Sequence, residues 1–95
     1  KNDNSEYYAN VPRLSIGSTT EFNIAANSNF ESKVEFDNAI NYFWEESDFQ
    51  SGVTVSIYDN RIITGVITTP ALYEYTLHVQ TVAGIASVPV YLNVV

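Results

Sequence analysis

The sequence predicts an all-β domain, a sandwich of two sheets, and three observations carry that prediction. Apolar and polar residues alternate along Tyr73–Val79 and again along Ala86–Val94, the period of a strand with one dry face. The composition is rich in Val, Ile and Thr and holds seven Tyr, five Phe and one Trp, residue types that suit a pleated, half-buried surface. No segment repeats its apolar residues at a helical period with comparable strength. Seven or eight short antiparallel strands at near-even spacing fit within the 95 residues.

Taken in order, Lys1 to Asn10 is polar and Asn-rich and reads as a linker or lead-in, leaving residues 11–95 as a single domain. Val11–Ile16 reads as a first strand at a sheet edge, because Pro12 removes a ladder donor. Gly17-Ser18-Thr19-Thr20 is a turn. Phe22, Ile24 and Ala26 alternate with Glu21, Asn23 and Ala25 as a second strand, the position called B. Asn27-Ser28-Asn29 turns the chain again. Phe30, Val34 and Phe36 then share one parity, while Glu31, Lys33, Glu35 and Asp37 share the other, which a strand resolves into one dry and one wet face. Ile40, Tyr42 and Trp44 continue the alternation beyond an Asp37-Asn38 turn, and Glu45-Glu46-Ser47-Asp48 forms an acidic loop. Val53, Val55 and Ile57 face in. Asp59-Asn60 has the left-handed tolerance of a two-residue hairpin turn.

Eleven acidic against four basic residues give a formal charge of −7. Such a field repels phosphate backbones and anionic lipid, so nucleic acid and membrane surfaces are poor partners. The absence of Cys rules out disulfides and thiolate metal sites. No apolar run approaches the roughly 20 residues of a membrane helix.

The succession Ser51-Gly52-Val53-Thr54-Val55-Ser56, Asp59-Asn60-Arg61-Ile62-Ile63-Thr64-Gly65, Thr68–Val79, Gly84 and Tyr91-Leu92-Asn93-Val94 resembles the immunoglobulin-like family close to the cadherin-like, dystroglycan type. Domains of that family recur in large bacterial surface proteins. The resemblance spans roughly residues 40 to 95, with two departures. Phe49-Gln50-Ser51 stands where the family carries Leu-Pro before its Gly, and Val66-Ile67 follows Gly65 where a Pro is usual. It implies an immunoglobulin-like or cadherin-like β-sandwich in a secreted or cell-surface setting. Ala71–Tyr75 also resembles a tyrosine corner, in which Tyr73 bonds back to upstream backbone; the alternative is that Tyr73 is a plain core aromatic.

Chemistry is sparse. His78 falls on the solvent parity of its strand, and a lone exposed His without a partner in sequence reads as a surface residue. No nucleophile elbow, phosphate loop or HExxH motif occurs, so no catalytic, cofactor or metal site is assigned. The acidic loop, with Asp37 or Asp59, offers hard oxygen ligands for calcium, although a solvated acidic turn explains it more simply. Trp44 and Tyr42 point inward. Phe43, Phe49, Tyr58 and Tyr91 are left over and read as contacts for a ligand or partner.

The expected function is therefore a non-catalytic module of a secreted or cell-surface bacterial protein, acting as spacer or adhesion unit. Its partners are neighbouring domains of a longer chain, or a host or cell-surface protein or glycan, and the isolated domain is a monomer. The alternative is a carbohydrate-binding module accessory to an exported enzyme.

Overall fold

The computed structural model describes residues 11–45 and 52–95. Seven strands lie among them: β1 (Glu21–Ile24), β2 (Phe30–Lys33), β3 (Asn41–Trp44), β4 (Val55–Tyr58), β5 (Arg61–Thr64), β6 (Ala71–Thr81) and β7 (Gly84–Val94). They form a four-stranded sheet, β1-β7-β6-β3, and a three-stranded sheet, β2-β5-β4.

The β6–β7 hairpin is the spine. Its two 11-residue strands pair along their whole length, from Ala71↔Val94 to Thr81↔Gly84. The predicted parity holds throughout. Tyr75, Leu77 and Val79 on β6 meet Val90, Leu92 and Val94 on β7 in the dry layer, all at most 2% exposed. Ile62 from β5, Ile24 from β1, and Val34 and Ile67 from the connections close the interior. Trp44 and Tyr42 pack against this core from β3, half-buried.

Local chemistry sets the turns. Asp59 and Asn60 have φ of 54° and 60°, so the β4–β5 turn has positive φ at both central residues, the twist that suits a two-residue hairpin. At Gly65, whose amide donates to the Thr54 carbonyl at 3.0 Å, a Cβ would run into the Thr54 hydroxyl oxygen, so a larger residue must displace that side chain. Tyr73 Oη donates to the Thr69 carbonyl at 2.7 Å, four residues upstream, and so makes the tyrosine corner rather than serving as a plain core ring.

A second tyrosine ties the layers together. The Tyr42 hydroxyl accepts from the Phe36 amide at 2.9 Å and donates to Asn60 Oδ1 at 3.1 Å, linking β3 in one sheet to the chain after β2 and to the β4–β5 turn of the other. Burial pushes the Tyr42 pKa above its ordinary 10.0; the Phe36 amide pulls it down and the nearby Glu35 charge adds to the rise.

The start of the domain departs from expectation. Val11–Ile16 makes a single antiparallel bridge, Leu14↔Phe36, instead of a strand. Residues 21–24, read as the second strand of an antiparallel series, pair in parallel with the last strand, Glu21↔Tyr91 to Ile24↔Val94. Thus one pairing breaks the antiparallel pattern. The bonds Tyr91 N to Thr20 O and Val95 N to Ile24 O show that odd-numbered amides of β7 face β1. Pro89 shares that direction, above the point where β1 begins, so its missing N–H breaks no described ladder bond.

With β2, β5 and β4 as strands B, E and D, and β3, β6 and β7 as C, F and G, the two sheets are those of an immunoglobulin-like sandwich.

Candidate functional site

The outer face of the four-stranded sheet carries Phe43 and Tyr91, two of the rings left over from the core. Its rows follow from the register. Phe43 lies opposite His78, and His78 opposite Ser87. Four residues further along β7, Tyr91 sits between Glu74 of β6 and Glu21 of β1; in the next row Asn93 sits between Leu72 and Asn23.

The Phe43 row is a connected cluster. The Phe43 ring stacks on His78 with centroids 4.9 Å apart and planes at 22°. His78 Nε2 is 2.8 Å from Glu45 Oε1, and His78 Nδ1 is 3.3 Å from Ser87 Oγ. His78 is therefore not the lone surface histidine the sequence suggested. Register supplies its partners, which stand 33 and 9 positions away in the chain. The order Glu–His–Ser has the connectivity of a proton relay. Ser87 nevertheless lies within an extended strand, not on a strand-to-helix turn that would aim backbone amides at a developing oxyanion.

The Tyr91 row borders a cleft of about 460 Å³ lined by Thr19, Glu21, Phe22, Asn23, Leu72, Tyr91 and Asn93. Asn93 Nδ2 donates to Asn23 Oδ1 at 3.1 Å, which fixes both amides along its edge. The described Lys and Arg residues lie elsewhere. Arg61 pairs with Glu31 and Lys33 with Glu35 in and beside the three-stranded sheet, and the Arg13 amide bonds to Asn38. Glu21, Glu45 and Glu74 thus give the outer face a negative field.

Of the four rings singled out from the sequence, the three among the described residues do not converge. Phe43 is 42% exposed and Tyr91 half-buried on this face, about 16 Å apart by strand geometry. Tyr58, 76% exposed, stands at the β4–β5 hairpin of the other sheet. Phe49 lies outside the described residues, as does most of the acidic loop. Of the calcium ligands considered with that loop, Asp37 accepts a short bond from Ser15 Oγ. Among the described residues no three His, Asp or Glu side chains gather as metal ligands.

Comparison with known proteins bears on the fold. No protein-family model and no curated protein matches the chain. Among solved structures it is similar to part of a Bacteroides fragilis protein provisionally named an alpha-galactosidase, with a TM-score of 0.63 and 17% identity over 92% of this chain and 18% of that one. A second B. fragilis protein, provisionally named an alpha-galactosidase/melibiase, gives 0.64 and 14% over 96% of this chain and 20% of that one. An immunoglobulin domain in the complex of titin M10 with obscurin-like 1 gives 0.51 and 12% over 88% of this chain and 93% of that one. The chain spans about a fifth of the length of the two bacterial proteins. At these identities the likeness establishes an immunoglobulin-like sandwich, a fold that serves in these proteins as a domain within longer chains or complexes.

Proposed function

We propose that the protein is a non-catalytic module of a longer secreted or cell-surface bacterial protein, of the cadherin-like, dystroglycan-type class, acting as a load-bearing spacer in adhesion. The parallel pairing of β1 with β7 carries this reading. Chain enters the pair at Glu21, opposite Tyr91, and leaves it beyond Val94, opposite Ile24. Tension applied through the two flanks pulls the strands in opposite directions along their common axis. Every bond between them is then loaded together, whereas a hairpin pulled from its open end unzips one bond at a time.

Single-molecule stretching through the two ends is the test. The domain is expected to give one abrupt unfolding peak. Ala26→Pro, which removes the amide that donates to the Val95 carbonyl at 2.9 Å, is expected to lower the peak force. Ser28→Ala, in the turn outside the pair, is expected to leave it unchanged. Gradual extension without a peak would overturn the mechanical reading.

A second reading is favoured by the cleft beside Tyr91: an accessory carbohydrate-binding module of an exported enzyme. The two bacterial proteins of similar fold are provisionally named as galactosidases and carry the fold as about a fifth of their length, which suits an accessory role here. Binding to a glycan array supports this reading; a blank array removes it.

A further inference from the structure

We infer that the cleft over the C-terminal half of β7 binds a neutral pyranose sugar, with the Tyr91 ring as its platform. This inference rests on the carbohydrate-binding reading and assigns it a site. The cleft, about 460 Å³, falls within the size range of small-ligand sites. It stands over a block of six residues, two rows across three strands, Glu74–Tyr91–Glu21 and Leu72–Asn93–Asn23, of which all but Glu74 line it. Strand spacing makes that block roughly 7 by 10 Å, the scale of a single sugar ring.

The chemistry is matched in kind. A pyranose presents an apolar C–H face and a rim of hydroxyls, each both donor and acceptor. An aromatic ring takes the C–H face. Glu21 and Glu74, on either side of that ring, accept from rim hydroxyls through charge-assisted bonds. At one end the Asn93–Asn23 bond uses one amide nitrogen and one amide oxygen. It leaves Asn23 Nδ2 as a donor and Asn93 Oδ1 as an acceptor without partners among the described residues. Leu72 supplies the remaining apolar wall, 66% exposed.

Other occupants fit less of this set. An anion meets two carboxylates and no described Lys or Arg on the face. A purely apolar ligand would strip water from both carboxylates and both amides. A Lys or Arg side chain satisfies the glutamates and Asn93 Oδ1 but leaves the Asn23 Nδ2 donor without a partner. The backbone that carries the platform is also held in place before any ligand arrives, because Tyr91 N donates to Thr20 O at 2.8 Å and its strand is paired on both sides. Little ordering is then required on binding.

The test is a titration of the isotope-labelled domain with D-galactose, D-glucose and N-acetylarginine amide, followed by amide chemical shifts. Sugar-induced shifts are expected at Asn23, Tyr91 and Asn93. Tyr91→Ala is expected to weaken binding at least tenfold while Tyr91→Phe retains it. Asn23→Ala, an exposed change on the edge strand β1, is expected to weaken binding several-fold and serves if Tyr91→Ala does not fold. Sugar-induced shifts that centre elsewhere and survive Tyr91→Ala would leave the carbohydrate reading standing and sink this site. Binding of neither sugar, with a blank glycan array, would sink both. Shifts at Tyr91 from N-acetylarginine amide alone would replace the sugar with a cationic partner.

Discussion

Replacing Tyr42 with Phe removes one oxygen atom and tests whether the two sheets are tied at their edge. The hydroxyl accepts from the Phe36 amide and donates to Asn60 Oδ1. The Asn60 side chain is half-exposed and can return to water, so its loss is small. Phe36 is 5% exposed, and its amide loses an acceptor that water replaces poorly. An unpaired buried donor costs about 1–3 kcal/mol and a lost neutral bond about 1 kcal/mol, which puts Tyr42→Phe at about 2 kcal/mol. For a domain of this size that corresponds to a fall in Tm of about 10 °C. Urea titration followed by Trp44 fluorescence reads the same loss as a lower midpoint at unchanged slope.

The pH dependence supplies an independent arm. Because the folded pKa of Tyr42 lies above the unfolded 10.0, the hydroxyl's contribution is fully present below pH 10 and is lost as pH rises through the folded value. The gap between wild type and Tyr42→Phe should therefore be constant from neutrality to about pH 9 and close above about pH 10. In a double-mutant cycle with Asn60→Gly, which tolerates the φ of 60°, coupling of about 0.5–1 kcal/mol is expected. A loss below about 0.3 kcal/mol, or a gap that ignores alkaline pH, would refute the tie.

Three further outcomes follow from packing. Leu77 is fully buried at the centre of β6, and Leu77→Ala should cost about 2–5 kcal/mol in urea unfolding. Thr64 Oγ1 is buried without a partner among the described residues, so the near-isosteric Thr64→Val should stabilise the domain by about 1 kcal/mol; a lower melting temperature would contradict this. Gly65→Ala forces a methyl group onto the Thr54 hydroxyl and should destabilise by about 1–3 kcal/mol, and Thr54→Gly should relieve most of that loss in a double variant.

What the sequence disclosed was local. Alternation along Tyr73–Val79 and Ala86–Val94 gave both strands and their inward faces, because parity depends only on neighbouring residues. Asp59-Asn60 gave the hairpin for the same reason. Alternation is silent about partners, however. Phe22 and Ile24 are buried as expected, yet their strand neighbour, β7, is 70 positions away and runs parallel. The site divides the same way. The outward settings of Phe43 and Tyr91 were legible from parity. The company they keep depends on the registers of β3 with β6 and of β1 with β7, which no local pattern encodes: His78 and Glu45 beside one ring, Glu21 and Glu74 beside the other.

Pro89 bears on how this protein tolerates crowding. The stretch of β7 above β1 turns its odd-numbered amides and carbonyls away from β6, a ready template onto which another chain could zip. A proline in that stretch leaves any incoming strand one bond short and a ring in its way. Pro89→Val should leave the fold intact yet let concentrated samples form fibrils, which thioflavin fluorescence would read, because no described residue covers that edge.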